Sequence, residues 1–203
     1  LQETFPEGST VTETQVKKNP SATESLVLGL PAQFNSVWAS DRHNTYGYAG
    51  LMRIRDEYTQ DLCVGGDLGY SWYGSYGENT YQGEDYISSQ YVWNYYWTFV
   101  KGANTILSTL PEVNESSDAQ KGYRAIALAY RAMLFLDLAR MYEFLPNDKV
   151  DGLNPLTGNR VDSLTVPIIK HDITVEQARN NPRVKRAEMA AFIEEDLKEA
   201  ENL

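Results

Sequence analysis

The chain has 203 residues, 42% of them apolar, which is enough to bury the core of one large domain. Its formal net charge of −10 disfavours binding to nucleic acid, which requires a basic surface, and adsorption to an anionic membrane. One cysteine and two histidines exclude an intrachain disulfide and an all-cysteine metal site, disfavour a histidine-based zinc site, and give no reason to expect a cofactor.

The chain divides into an extended polar segment, residues 1–19, and a helical domain over residues 20–203. Ser21 and Glu24 have the spacing of a capping box, which predicts Ser21 as the N-cap of the first helix. Pro31 lies within the apolar pattern of that helix and should kink or split it. A second helix is predicted over residues 46–58.

Residues 65–83, GGDLGYSWYGSYGENTYQG, combine six glycines with five aromatic side chains and contain no lysine or arginine. Glycine favours an irregular loop, whereas tyrosine and tryptophan carry large apolar faces that need a surface to pack on. Three interpretations are open: the rings pack inward on neighbouring helices, they form a surface that stacks on a ligand, or the segment is disordered.

Helical spacing resumes after this segment, and Pro111 should close the third helix. Ser117 and Gln120 form a second capping box that opens a fourth helix, and Pro146 marks its end. The apolar face of the third helix comprises Trp93, Tyr96, Trp97, Val100, Ala103, Leu107 and Leu110.

Two polar residues lie within these helices and need partners if they are buried. We interpret Asn104 as a hydrogen-bonding residue between helices rather than as a ligand residue. Arg131 should pair with a carboxylate such as Asp137 or cap a loop carbonyl.

The last third of the chain begins with a loop over residues 146–165. Thr174 and Gln177 form a third capping box, which predicts a helix of one or two turns. The final helix continues to Leu203 without a stop signal, so we expect the natural protein to extend beyond this residue. Its apolar face comprises Met189, Phe192, Ile193, Leu197 and Ala200.

Reaction machinery is scarce, and we do not expect an enzyme. The sequence lacks the motifs of serine hydrolases, zinc proteases and phosphate-binding loops. Carboxylate pairs such as Glu194 and Glu195 are interpreted as solvated helix faces rather than as a glycosidase pair. We interpret Cys63 as buried and inert, with a catalytic dyad to His43 or His171 as the alternative.

Four segments in order resemble the SusD/RagB-like outer-membrane glycan-binding lipoproteins of Bacteroidetes, over about residues 20–203. The third helix resembles that family's W-x-x-x-Y/W-x-x-I-x-x-A-N pattern through Trp93, Trp97, Val100, Ala103 and Asn104. The fourth is similar in Arg131, Ala132, Tyr142, Leu145 and Pro146, with Glu143 where glycine is usual. Later matches are Pro167, Pro182, Arg183, Ile193, Asp196, Leu197 and Ala200; the first helix matches at Gly29 and Leu30 but departs at Pro31.

The resemblance implies a mainly α fold: a tetratricopeptide-like array of antiparallel helix pairs with long loops, of which this chain is the N-terminal part. It implies a leader with a lipidated cysteine, absent from this chain, that anchors the protein at the surface of the outer membrane. It also implies non-catalytic binding of oligosaccharide or polysaccharide for uptake through a SusC-like TonB-dependent transporter. The alternative is a helical scaffold that docks the transporter and has no ligand site in this half.

No family motif fixes the ligand residues, so we select them within residues 65–83 on chemistry. Sugar rings present apolar C–H faces, which aromatic rings cover, and hydroxyl groups, which amides and carboxylates bind. The candidate glycan-binding residues are Trp72, Tyr73, Tyr76, Asn79 and Tyr81.

Overall fold

The computed structural model describes residues 19–36, 47–64, 72–78, 83, 85–146 and 151–203, apart from the side chains of Pro20, Trp72, Ile87 and Ser88. Within these ranges the extended backbone pairs only at three isolated bridges. The mainly α class is therefore confirmed, whereas the tetratricopeptide-like pairing stays a prediction. The helices are α1 Pro20–Ala32, α2 Gly47–Thr59, α3 Trp72–Gly77, α4 Ile87–Thr109, α5 Asp118–Tyr142, α6 Val175–Arg179 and α7 Arg186–Glu201.

The chain forms two compact units, each described below on its own. One unit is Leu28–Phe99, and the other combines Leu1–Val27 with Val100–Leu203. None of the helices in the described ranges combines the length and the apolar character that crossing a membrane requires.

The start of α1 differs from the sequence prediction. The helix begins at Pro20, and the side-chain oxygen of Asn19 accepts a hydrogen bond from the Ser21 N–H at 3.2 Å. The prediction of Ser21 as N-cap is therefore wrong, because asparagine is a strong N-cap and proline suits the first helical position. The α-helix ends one residue after Pro31, and a 3-10 turn over Gln33–Asn35 follows.

The other two capping boxes are confirmed. Ser117 accepts a hydrogen bond from the Gln120 N–H, and the Gln120 side chain accepts one from the Ser117 N–H. Thr174 and Gln177 make the same reciprocal pair at the start of α6, a helix of five residues. These caps satisfy N–H groups that have no partner inside a helix.

The buried face of α4 is displaced from the predicted one at its N-terminal end. Trp93 is 38% exposed, so its assignment to the buried face is wrong. Its ring packs edge-on against Trp97 at 5.3 Å, while Tyr95, Tyr96 and Phe99 form the buried side. Bulky aromatic residues on all sides of this helix hid the direction of its core in the sequence.

A buried ion pair joins α5 to α7. Arg131 donates two hydrogen bonds to the Asp196 carboxylate, at 2.7 and 2.8 Å, and both side chains are 4% exposed. The prediction that Arg131 pairs with a carboxylate is therefore confirmed, although the partner is Asp196 and not the named example Asp137. Leu197, predicted to be buried, is 48% exposed, because α7 turns Asp196 toward Arg131 instead.

Asn104 extends this ion pair to a third helix, which confirms its structural role. Its side-chain oxygen accepts a hydrogen bond from Arg131 at 2.9 Å, and its amide nitrogen donates one to the Ile169 carbonyl at 2.9 Å. The Asn104–Arg131–Asp196 network thus fixes α4, α5, α7 and the extended segment at Ile169 together. Phe135 and Phe192 pack edge-on beside it at 5.1 Å.

A second arginine ties the end of α5 to the loop that follows. Arg183 donates hydrogen bonds to the carbonyls of Tyr142, Leu164 and Thr165. Glu143, which replaces the usual glycine, terminates α5 in an extended conformation with φ −72° and ψ 128°. With these angles the end of α5 does not use the left-handed conformation that favours glycine. The Glu143 carboxylate pairs with Arg186 at 2.7 Å.

Candidate functional site

The glycine- and aromatic-rich segment, residues 65–83, is partly described. Residues 72–77 form α3, a helix of six residues, where the composition predicted an irregular loop. The Trp72 side chain, Asn79 and Tyr81 lie outside the described residues. Tyr73 and Tyr76 are the two candidate residues whose side chains the structure places.

Tyr76 packs inward. Its side chain is 1% exposed, and its ring meets Tyr58 of α2 edge-on at 5.7 Å. Edge-to-face aromatic pairs contribute about 0.5–1.5 kcal/mol beyond the area that they bury. For this residue the structure favours the interpretation that the ring anchors the segment to α2.

Tyr73 lies one helical turn away and is only half-buried. The Arg53 guanidinium of α2 stacks over its ring at 4.2 Å, and Arg53 Nη1 donates a hydrogen bond to the Tyr73 hydroxyl at 2.9 Å. Stacking on an aromatic face holds a guanidinium in a fixed orientation. We call this partly exposed stack of one ring and one cation the Arg53–Tyr73 platform.

An open groove of about 590 Å³ lies against this platform. Arg53 lines the groove and also stacks on Tyr73, so this one side chain connects the groove to the platform. Phe34 and Tyr48 stack edge-on at 5.1 Å on the groove wall. The groove is lined by Phe34, Asn35, Tyr48, Ala49, Met52, Arg53 and Asp56.

The sequence contains a signal for one wall of this groove. Tyr48, Met52 and Asp56 recur every four residues and therefore share one face of α2. The contribution of Phe34 carries no such signal, because it depends on how the 3-10 turn packs against α2.

A buried carboxylate, that of Glu57, lies beside the Arg53 guanidinium of the platform. Glu57 is 2% exposed, and its Oε1 lies 3.5 Å from Arg53 Nε. Burial raises the pKa of Glu57 above its ordinary value of 4.5, and the positive charge of Arg53 partly offsets this rise. Arg53 is thus held between an aromatic ring and an acid.

We expect this raised pKa to appear in the pH dependence of stability. The folded chain retains a proton on Glu57 that the unfolded chain releases, so the contribution of Glu57 is complete below pH 4.5 and is lost as the pH rises through the raised pKa. Relative to the wild type, Glu57→Gln should gain stability as the pH rises above 4.5. Urea denaturation from pH 4 to pH 8 measures this difference, and a difference that is constant over that range would contradict the prediction.

Cys63 is exposed, so the interpretation as a buried cysteine is wrong. Helix α2 ends at Thr59, and Gln60 adopts the left-handed conformation with φ +64°. The chain then leaves the direction of the helix, so the apolar face of α2 does not continue to Cys63. The described residues hold no group of three or more histidine, cysteine or acidic side chains arranged for a metal ion.

A second groove, of about 860 Å³, lies in the other unit. It runs between α7 and the segment that leads through α6. Its lining is Ile168, Lys170, Asp172, Ile173, Gln177, Asn180, Asn181, Val184, Glu188, Ala191, Phe192 and Glu195. None of the described residues of the segment 65–83 is part of this lining.

Comparison with known proteins identifies a fold. No protein-family model matches the sequence, and no curated protein matches it significantly. A solved structure, a SusD-like carbohydrate binding protein from Bacteroides vulgatus ATCC 8482, superposes with a TM-score of 0.66 over 90% of this chain at 22% sequence identity. The chain covers 35% of that structure, so it spans about a third of its length. At this identity the likeness shows that the two share a fold.

Proposed function

We propose that this chain, which has a SusD-like fold, binds oligosaccharide or polysaccharide without catalysis at the surface of the outer membrane. The observation that carries the proposal is the Arg53–Tyr73 platform beside the open groove on α2. The likeness to a carbohydrate binding protein supports it. In the proposed role a lipid anchor holds the protein at the surface, and a SusC-like TonB-dependent transporter takes up the bound glycan.

The chemistry of the platform suits a neutral sugar. The face of the Tyr73 ring opposite Arg53 offers an apolar surface for sugar C–H groups, and Arg53 donates hydrogen bonds to ring and hydroxyl oxygens. Asn35 and Asp56, on the groove wall, bind hydroxyl groups as acceptors, and the amide of Asn35 also donates. The net charge of −10 does not oppose an uncharged ligand.

The five candidate residues divide into two roles in this proposal. Tyr73 contacts the sugar, together with Trp72, Asn79 and Tyr81 from the same segment. Tyr76 acts through its contact with Tyr58, which holds the segment on α2. The binding surface therefore depends on one buried tyrosine that the ligand does not touch.

Replacement of Tyr73 tests the site. We expect Tyr73→Ala to weaken binding of the best ligand in a panel of neutral hexasaccharides about fivefold or more, because truncating an aromatic hot-spot residue costs about 1 kcal/mol or more. Isothermal titration calorimetry with gluco-, xylo- and manno-configured oligosaccharides measures this loss. Arg53→Met should weaken the same ligand.

Tyr86→Ala is the matched control, because Tyr86 is 42% exposed and lies outside the groove lining. It should leave affinity unchanged. Equal affinities for the wild type and Tyr73→Ala would overturn the assignment of the platform. A chain that binds no glycan in the panel would favour the scaffold alternative.

A further inference from the structure

In the second groove, the ammonium group of a lysine side chain lies near an aromatic ring and a carboxylate. Lys170 Nζ lies 3.6 Å from Glu195 Oε2 and 5.4 Å from the centroid of the Phe192 ring. An ammonium group near an aromatic face and a carboxylate is the arrangement by which proteins recognise primary amines. Lys170 is 45% exposed, so its side chain reaches this position from the rim and can leave it for water.

The charges around this position favour a cation from outside the chain. Asp172, Glu188 and Glu195 place three carboxylates on the lining against the single ammonium of Lys170. Opposite charges at a groove raise the local concentration of a cationic ligand and exclude an anionic one. The volume of about 860 Å³ falls in the usual range for small-molecule sites, about 300–1,000 Å³.

The rest of the lining distinguishes between ligand classes. Phe192 is 4% exposed with Lys170 Nζ and the Arg131 guanidinium near its ring, so it offers a ligand the position of Lys170 Nζ but no broad face on which a neutral sugar could stack. Gln177, Asn180 and Asn181 bring three carboxamides to one wall, and such groups pair with hydroxyls. Asn181 also donates to the Ile168 carbonyl at 2.7 Å, which fixes that wall.

We propose that the second groove binds an amino sugar whose free ammonium takes the place of Lys170 Nζ between Glu195 and Phe192. The carboxamides of Gln177, Asn180 and Asn181 bind the hydroxyl groups. This proposal rests on the proposed function, since it assigns a second ligand class to a glycan-binding chain. It concerns a different unit from the Arg53–Tyr73 platform and uses none of its residues.

The test compares two ligands that differ at the amino group: the trimer of glucosamine and the trimer of N-acetylglucosamine. Calorimetric titration at a pH where the amine is charged should show that the glucosamine trimer binds more tightly. Glu195→Gln should weaken it about two- to fivefold, the range of a partly exposed ion pair. Lys170→Met should strengthen it by a similar factor, because this variant removes the competing ammonium.

Glu194→Gln is the matched control, because Glu194 pairs with Lys198 on the same helix and lies outside the groove lining. It should change neither affinity. Equal binding of the two trimers, or an unchanged affinity in Lys170→Met, would overturn the amino-sugar site.

Tyr73→Ala separates the two proposals, since it should leave the affinity for the glucosamine trimer unchanged. Binding of neutral hexasaccharides without any binding of the glucosamine trimer would refute the second site alone. Absence of binding to both ligand classes would refute both proposals.

Discussion

Replacing Arg131 by methionine should lower the free energy of unfolding by about 3–5 kcal/mol, the cost of leaving one partner of a buried ion pair without the other. The Asp196 carboxylate, at a position 2% exposed, would lose both hydrogen bonds from the guanidinium. Asn104 would lose its contact to α5 in the same substitution. Since domains are stable by only about 5–15 kcal/mol, this variant should be largely unfolded in moderate urea.

The measurement is urea denaturation at pH 7, followed by circular dichroism. Arg140→Met is the control, because Arg140 lies on the exposed side of the same helix. Adding Asp196→Leu to Arg131→Met should recover most of the loss, because the buried charge is then removed as well. A cost below about 1 kcal/mol for Arg131→Met would mean that the ion pair contributes no more than a surface pair.

In the unit Leu28–Phe99, Gly47→Ala should lower the free energy of unfolding more than any other small substitution. Gly47 adopts φ +56°, and a Cβ atom built there would lie 2.1 Å from the Phe34 carbonyl oxygen. The Phe34 oxygen belongs to the backbone, and the backbone of residue 47 fixes the position of Cβ, so relief requires that α2 and the 3-10 turn move apart. We expect a loss of about 2–4 kcal/mol in the free energy of unfolding, since a left-handed conformation and a backbone clash add together.

The same substitution should impair the candidate site. Phe34 and Tyr48 form a wall of the groove on either side of the Gly47 contact. Binding of the best hexasaccharide should therefore weaken even where the variant remains folded. Gly122→Ala is the control: a Cβ there meets nothing within 4 Å, and alanine in a helix interior should stabilise by up to about 1 kcal/mol. Equal effects of the two substitutions would contradict the clash.

Local patterns predicted two of the three capping boxes correctly, and the one at Ser21 was wrong. The capping boxes at Ser117 and Thr174 depend on contacts three residues apart, and both form. The partner named for Arg131 was wrong because a local pattern indicates only partners that are close along the chain. Asp137 was available on the same helix, whereas Asp196 is 65 residues away and its burial follows from how α5 packs on α7.

The candidate site was predictable in kind but not in position. Composition indicated that the aromatic residues of 65–83 need a surface, and for Tyr76 that surface is Tyr58. The role of Arg53 could not be read from the sequence, because an arginine on a helix is most often solvated. Its orientation depends on Tyr73, 20 residues away, and on the buried Glu57.

The residues of the Asn104–Arg131–Asp196 network lie far apart along the chain, and this separation has a consequence for folding during synthesis. Arg131 leaves the ribosome 65 residues before Asp196 does, and Asn104 the same number before Ile169. At a synthesis rate of about 5–20 residues per second, Asp196 is translated roughly 3–13 seconds after Arg131. We expect the Arg131 guanidinium to remain hydrated until Asp196 is available, because burying its charge without a carboxylate partner is costly.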